Sequence, residues 1–400
     1  MSNLSRRARE LGTENAFVVL GEVARLQAEG HKIVSFAIGQ PDFPTPEHIR
    51  MAGIKAITEG HTGYTPSPGI QPLRDAVAAR FSRTRGVSFE ADDVVCGCGG
   101  KPFIAYSILS VTDHGEGHEV IYPNPGFPIY RSQIEACGAV PVPIDLRERR
   151  AFNFDLDDLR SKVNDRTRLL ILCSPQNPTG GVLSRQELEQ IAEIVKPYDN
   201  LWIYSDEVYS GLVYDGDFRS IVAIPGMRER TIVVDSASKT YSMTGWRIGY
   251  AANRALAPVF TRWVTNTDSC PPHPNQHAVV EALNGDQSPA QEMAREFLQR
   301  RDRIVEGLNA IEGIRCLTPG GAFYVWPNVT EACGLVGAAN SEELRKRLLL
   351  EAGVAVLADG HFGAPVEGDG EHLRFSYASS FEAIDEGLQR IDDFIKSNKR

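Results

Sequence analysis

The stretch Thr231-Ile232-Val233-Val234-Asp235-Ser236-Ala237-Ser238-Lys239 contains the pattern from which the fold can be inferred. Four β-branched residues come first, and a continuous run of this kind predicts a strand that is buried on both faces. Small polar residues and a lysine follow the carboxyl end of that strand. A lysine is usually solvated, but a buried lysine can lose its proton and act as a Schiff-base nucleophile. Lys239 is therefore a candidate catalytic residue.

Similar apolar runs recur through the middle of the chain, with amphipathic stretches between them. Strands are predicted at 94–96, 119–122, 140–144, 169–172 and 201–204, and helices at 103–109, 129–137 and 185–195. Buried strands that alternate with helices indicate an α/β fold whose mostly parallel sheet is covered on both faces.

The two ends of the chain have a different pattern. A helix is predicted at 14–30, long charged helices at 294–308 and 342–351, and short strands at 323–326 and 373–376. We therefore expect a large domain at residues 48–290 and a smaller α+β domain formed by residues 1–47 and 291–400.

Polar segments follow four of the predicted strands. In an open parallel sheet, ligands bind outside the carboxyl ends of the strands, so these segments are expected to meet. They supply a glycine turn, an amide, a carboxylate and a lysine, in the segments 97–102, 174–180, 205–209 and 235–239.

The glycine turn Gly97-Cys98-Gly99-Gly100-Lys101-Pro102 precedes a predicted helix. Free N–H groups at a helix N-terminus can bind a phosphate, although a plain tight turn remains the alternative. Two nucleotide motifs are excluded: Pro102 stands where GxGxxG needs glycine, and Val95 and Pro102 break the Walker pattern.

Asp206 follows a buried strand, where a carboxylate requires a partner. A protonated pyridine nitrogen of a cofactor is one such partner. A helix cap or an ion pair is the alternative.

The segment Ser236-Ala237-Ser238-Lys239-Thr240-Tyr241-Ser242-Met243-Thr244-Gly245-Trp246-Arg247-Ile248-Gly249 closely resembles the lysine signature of class I aminotransferases, which use pyridoxal 5′-phosphate (PLP). These are fold type I enzymes similar to aspartate aminotransferase. Further matching segments occur in the family's order along nearly the whole chain, at 38–43, 63–66, 99–101, 177–180, 206–209, 321–324 and 374–377.

The resemblance implies a role for each matching residue. Lys239 would bind PLP covalently, and Asp206 would pair with its ring nitrogen. Asn177 and Tyr209 would contact its phenolic oxygen, and Phe127 would stack on its ring. The remaining roles are phosphate binding by Gly100, Lys101, Ser236, Ser238 and Arg247, carboxylate binding by Arg374 with Gly39 and Asn177, and a phosphate contact made across a homodimer interface by Tyr64.

The sequence departs from the family's commonest pattern at Gln40, Lys101 and Phe127. No arginine occurs at residues 263–270, which directly follow Arg262. In the aspartate-specific branch of the family, an arginine of the neighbouring subunit from about this region binds the distal carboxylate of the substrate. This absence favours a neutral or flexible amino donor over a strictly dicarboxylic one.

Three functions remain open at this point. The first is an amino acid aminotransferase that moves an amino group to a 2-oxo acid through PLP in ping-pong fashion. The second keeps PLP but gives a β-eliminating lyase, a decarboxylase or an oxidase. The third is a dinucleotide-binding dehydrogenase or a non-catalytic binding module, which would leave Lys239 unexplained.

Composition limits the partners. The net charge of −10 argues against nucleic acid or anionic membrane surfaces, and no stretch approaches the roughly 18 apolar residues of a membrane span. The charged residues after Met1 predict no secretory signal, and seven scattered cysteines are typical of reduced thiols in the cytoplasm.

No metal site is expected. Cys96 and Cys98 lack a second pair with metal-ligand spacing. His273 and His277 have helical spacing, but Pro271, Pro272 and Pro274 are expected to prevent a helix there.

Overall fold

The computed structural model describes residues 3–400, apart from the side chain of Arg6. Its strands are β1 Val34–Ser35, β2 Val94–Gly97, β3 Glu119–Asn124, β4 Val140–Asp145, β5 Thr167–Cys173, β6 Trp202–Asp206, β7 Thr231–Ser236, β8 Gly249–Ala252, β9 Tyr324–Val325, β10 Val354–Ala355, β11 Leu357–Ala358 and β12 Leu373–Ser376. Its helices are α1 Arg6–Glu10, α2 Asn15–Ala28, α3 Glu47–Thr58, α4 Gln71–Arg85, α5 Pro102–Val111, α6 Ile129–Cys137, α7 Leu156–Lys162, α8 Arg185–Val195, α9 Ala237–Thr240, α10 Ala257–Thr267, α11 His273–Asn284, α12 Ser288–Ala310, α13 Thr330–Val336, α14 Ser341–Arg347 and α15 Phe381–Asn398.

A seven-stranded sheet forms the centre of the molecule. Its strand order is β2-β8-β7-β6-β5-β3-β4. The pairs β4-β3, β3-β5, β5-β6 and β6-β7 are parallel, whereas β8 runs antiparallel to both of its neighbours. The expected α/β fold with a mostly parallel sheet is confirmed.

Alternation along the strands buries both faces of this sheet. Leu170 and Leu172 of β5 pack in one apolar cluster with residues of α8, whereas Leu169 and Ile171 pack in another with residues of α5. Both clusters consist of buried side chains, so neither face is left to solvent. This explains why such strands appear in the sequence as continuous apolar runs.

Local signals explain where several helices begin and end. Ser184 and Glu187 form a reciprocal capping box at the start of α8. Gly138 adopts a left-handed conformation after α6, and Gly86 does so after α4.

Two small sheets lie outside the central one. Strands β11, β12 and β9 are antiparallel, and β1 pairs with β10 in parallel, so the N-terminal and C-terminal segments share structure. The predicted boundary at 290 falls in the first turn of α12. The division into residues 48–290 and the two terminal segments stays a prediction.

One expectation about local structure is wrong. A helix, α11, does form at residues 273–284, because Pro272 occupies its N-cap and Pro274 its first turn. Proline is tolerated at both positions, where backbone N–H groups have no partner within the helix. His273 and His277 therefore lie one turn apart on a regular helix.

Candidate active site

A cavity of about 610 Å³ opens at the carboxyl ends of the central strands. All the site residues predicted from the sequence line it except Tyr64: Gly39, Gly100, Lys101, Phe127, Asn177, Asp206, Tyr209, Ser236, Ser238, Lys239, Arg247 and Arg374. The chemistry-bearing ends of β2, β5, β6 and β7 therefore meet, as the parallel topology predicts.

Lys239 lies in the short helix α9, directly after β7. Its Nζ donates a hydrogen bond of 2.6 Å to the carbonyl oxygen of Gly39. Burial lowers the pKa of Lys239 to about 8, and the positive charges of Arg374 and Lys101 act in the same direction while Glu14 opposes them. At pH 7 about a tenth of this amine is therefore neutral, far more than in a solvated lysine, and the neutral form is the one that a nucleophile or proton acceptor requires.

Asp206 ends β6 and is buried. The hydroxyl of Tyr130 donates to its Oδ2 at 2.6 Å. Burial raises the pKa of Asp206 to about 6, although the Tyr130 hydrogen bond partly offsets this effect. A buried carboxylate whose hydrogen bonds come from neutral groups is suited to bind a cation that enters the cavity.

Arg374 on β12 is buried and lines the same cavity. Its Nη1 donates to Asn177 Oδ1 at 3.1 Å and its Nη2 to the Ala37 carbonyl at 2.5 Å. Among the described residues, its Nε has no hydrogen-bond partner. An incompletely satisfied buried guanidinium is suited to bind a carboxylate in bidentate fashion.

The glycine turn lies directly against Arg247. Gly99 has a φ of +93°, and a Cβ there would lie 2.2 Å from the Arg247 Nη2. Arg247 is exposed, and its Nη2 donates to the Cys98 carbonyl at 3.2 Å. With Ser236 and Ser238 at the start of α9, these groups offer several donors to a phosphate.

An ion pair lies at the wall of the cavity. Lys101 Nζ contacts Glu14 Oε2 at 2.7 Å and lies 5.3 Å from the centre of the Phe127 ring. The Lys101 side chain is 43% exposed, so this pair is accessible to a ligand.

Comparison with known proteins assigns the family. The family model of aminotransferase class I and II matches residues 31–391. An aspartate aminotransferase of Bacillus sp. strain YM-2 is 37% identical over 396 residues, which covers 98% of this chain and 99% of the relative. The chain belongs to the class I and II aminotransferases.

Solved structures agree with this assignment. The aspartate aminotransferase of Rhizobium meliloti superimposes with a TM-score of 0.93 at 32% identity, covering 100% of both chains. The alanine aminotransferase of Pyrococcus furiosus gives 0.91 at 30% identity, covering 99% of this chain and 100% of its own. The protein is an amino acid aminotransferase of fold type I.

Sequence reasoning missed several residues of this aminotransferase that contact the predicted set. Tyr130 holds Asp206, and the hydroxyls of Tyr209 and Tyr324 lie 2.8 Å apart. The Arg374 guanidinium lies 4.5 Å from the centre of the Tyr324 ring. Tyr324 belongs to a segment that matched the family, but nothing local indicated that Tyr130 faces inward.

A network of buried ion pairs lies at the ends of β6 and β7, next to the site. Arg85 donates to Glu207 at 2.8 Å and to Asp235 at 2.7 Å, and all three residues are buried. Glu207 follows Asp206, and Asp235 precedes Ser236, so this network ties the ends of β6 and β7 together. Residues far apart in sequence form it, which is why the sequence did not reveal it.

Two further findings concern a possible partner subunit and membrane spans. Tyr64 is 88% exposed and lies outside the cavity lining of this single chain. Within residues 3–400, none of the helices combines the length and apolar character of a membrane span.

Proposed function

We propose that this aminotransferase uses PLP, bound covalently by Lys239, to move the amino group of an α-amino acid to a 2-oxo acid. The observation that carries this proposal is the position of Lys239, a partly buried amine with a pKa of about 8 in a cavity shared with Asp206 and Arg374.

The donor set fits PLP. Ser236, Ser238, Arg247 and the N-terminus of α5 would hold the phosphate, and Asp206 would pair with the ring nitrogen. Asn177 and Tyr209 would hydrogen-bond the phenolic oxygen. When bound, PLP supplies an electron sink for the carbon that loses its proton.

The chain's own residues would then position the substrate and move the proton. Arg374 binds the α-carboxylate through its free Nε and its terminal nitrogens, which places the Cα–H bond near Lys239. Once the substrate's amino group has taken its place on PLP, the freed Lys239 amine would accept the Cα proton and later donate it back. Asp206 keeps its negative charge beside the cationic ring throughout.

Two half-reactions follow from this chemistry, and they give ping-pong kinetics. The first would convert the donor amino acid to its 2-oxo acid, and the second would convert an acceptor 2-oxo acid to its amino acid. Arg374 would bind the carboxylate of both substrates.

The Lys101–Glu14 pair suggests how a donor with an acidic side chain is accommodated. Relatives named aspartate aminotransferase support aspartate as a donor, although residues 263–270 supply no arginine for its distal carboxylate. We infer that this carboxylate replaces Glu14 on Lys101. In that case Lys101 contributes to donor selection, and the neutral donors expected from the sequence are also accepted.

A homodimer is part of the proposal. The exposed Tyr64 would reach the phosphate of the partner subunit, in line with the family resemblance. Each of the two active sites would then be composite.

The half-reaction distinguishes a transaminase from other PLP enzymes. Mixing the PLP-loaded enzyme with aspartate or alanine alone should release one equivalent of 2-oxo acid per chain and convert the cofactor to its amino form. Continuous release of ammonia, carbon dioxide or peroxide without an acceptor would instead indicate a lyase, a decarboxylase or an oxidase.

The donor assignment has its own experiment. Lys101→Gln should lower kcat/KM for aspartate by about 10- to 100-fold, the value of a charge-assisted hydrogen bond, and leave alanine nearly unaffected. Glu14→Gln, which frees Lys101, should raise kcat/KM for aspartate. If Lys101→Gln weakens PLP binding and slows both donors equally, Lys101 serves the phosphate instead.

A further inference from the structure

A cluster of three histidines lies outside the active site. His61 follows α3, whereas His273 and His277 occupy the first two turns of α11. Within the described residues, this is the set of histidine, cysteine and carboxylate side chains whose ligand atoms come close enough for a metal ion. One ring nitrogen from each lies within 4.8 Å of the others.

The three rings lie against one another, with His273 and His277 stacked and His61 tilted against both. The centres of the His61 and His277 rings are 4.4 Å apart, those of His61 and His273 are 5.2 Å apart, and those of His273 and His277 are 5.3 Å apart. Zn²⁺ binds imidazole nitrogens at about 2.0–2.1 Å, so the three nitrogens, now within 4.8 Å of one another, would move closer together around one ion.

The hydrogen bonds leave lone pairs available for the ion. Nδ1 of His273 lies 3.1 Å from the Gly63 carbonyl oxygen. Because a carbonyl only accepts, Nδ1 carries the proton and Nε2 keeps its lone pair. Metal-bound histidines in proteins are commonly oriented by such a bond to a carbonyl.

His277 supplies an independent observation. Its Nε2 is buried and has no hydrogen-bond partner among the described residues. A buried nitrogen without a partner costs free energy, and a bound ion would remove that cost.

A carboxylate lies beside the three histidines. Glu59 Oε2 lies 3.7 Å from His61 Nε2, and its other oxygen lies 3.8 Å from Lys55 Nζ. Three imidazoles with a carboxylate or a water form a four-coordinate site suited to Zn²⁺ and related late transition metals.

We propose that His61, His273 and His277, with Glu59 beside them, bind one Zn²⁺ ion per chain. The ion would join the turn after α3 to the N-terminus of α11. This turn leads through Gly63 directly to Tyr64, so the ion holds the segment that carries this exposed tyrosine. The site is separate from the catalytic cavity and does not depend on the cofactor assignment.

The test is calorimetric titration of chelator-treated, PLP-loaded enzyme with Zn²⁺ in a phosphate-free buffer. We expect one ion per chain and a higher Tm with Zn²⁺. His277→Gln and His273→Gln should each weaken binding by at least roughly 10- to 100-fold, as much as loss of an outer-sphere partner alone costs. His31→Gln, which removes an exposed histidine outside the cluster, should bind like the unmodified protein.

Two outcomes overturn the proposal. One is no saturable Zn²⁺ binding by the unmodified protein. The other is unchanged binding in both His277→Gln and His273→Gln, which would assign the ion to thiols such as Cys98 or Cys270. If a variant fails to retain PLP, the visible d–d spectrum of Co²⁺ bound to the unmodified enzyme decides, because nitrogen and thiolate ligands give different spectra.

Discussion

The reactivity of Lys239 depends on its burial. Because the pKa of this amine is lowered to about 8, it is protonated below that pH and increasingly free above it. We expect the rate at which the apoenzyme incorporates PLP to rise with pH, with a midpoint near 8. Stopped-flow absorbance at several pH values measures this directly.

A matched variant sharpens this pH prediction. Glu14 raises the pKa of Lys239, so Glu14→Gln should move the midpoint to lower pH. A midpoint near the ordinary lysine value of about 10.4 in the unmodified protein would mean that Lys239 is solvated.

Tyr130 influences the pKa of Asp206. Its hydrogen bond lowers the pKa of Asp206, so Tyr130→Phe should raise that pKa and move the acidic limb of the kcat/KM profile to higher pH. Asp206→Ala should reduce turnover by at least about 10²-fold, as loss of an acid–base group does. Tyr106→Phe is the control, because the Tyr106 hydroxyl hydrogen-bonds Thr267 and not Asp206. This variant should leave the pH profile of kcat/KM unchanged.

At the level of elements, β8 is packed so closely against the glycine turn that only glycine fits. A Cβ at Gly249 would lie 2.2 Å from the backbone nitrogen of Gly100. Gly249→Ala should therefore displace the turn, weaken PLP binding at its phosphate and destabilise the protein by about 1–3 kcal/mol, as overpacking does. Equilibrium dialysis and urea denaturation measure the two effects.

Gly21 provides the matched control for that substitution. It lies in α2, and a Cβ at this position would have no described atom within 4 Å beyond its own helix, so Gly21→Ala meets no neighbour. Alanine should stabilise this helix by up to about 1 kcal/mol. Equal losses in both variants would show that the contact with Gly100 is unimportant.

The elements also show how far the sequence could predict this fold. Apolar runs located β2 to β7, and five of these six strands carry a strong signal because they are largely buried, whereas β4 at the sheet edge is mostly not. β8 was not predicted, because Gly249-Tyr250-Ala251-Ala252 is short and rich in small residues. α11 was not expected because proline breaks a helix interior, although the prolines at its start occupy the tolerated positions.

The residues of the candidate site could be inferred from the sequence for a related reason. Its main residues follow strand ends or belong to motifs that resemble a known family, so short segments of sequence are enough to identify them. Tyr130, Glu14 and the Arg85–Glu207–Asp235 network reach the site through long-range packing. No local pattern reveals such contacts.

At the scale of the whole molecule, the cavity combines distant parts of the chain. Glu14 and Gly39 come from the N-terminal part, Lys239 from the helix after β7 and Arg374 from the C-terminal part. Tyr64 lies outside this single-chain cavity and is exposed, as a residue donated to a partner would be. The proposed homodimer follows from this arrangement together with the family resemblance.

Subunit complementation tests the homodimer. Lys239→Ala and a Tyr64-defective chain such as Tyr64→Ala should each have low activity alone. After mixing and subunit exchange, heterodimers should regain one sound site each, so activity should rise above the sum of the two. A fully active monomer in dilute analytical sedimentation would refute shared sites.

The covalent role of Lys239 is the centre of this account, and borohydride reduction tests it most directly. Reducing the PLP-loaded enzyme, digesting it and sequencing the labelled peptide by mass spectrometry should locate the cofactor on Lys239 at one equivalent per chain. The Lys239→Ala protein should remain unlabelled at the site. A stoichiometric adduct on Lys101 or any other lysine of the unmodified enzyme would contradict the account.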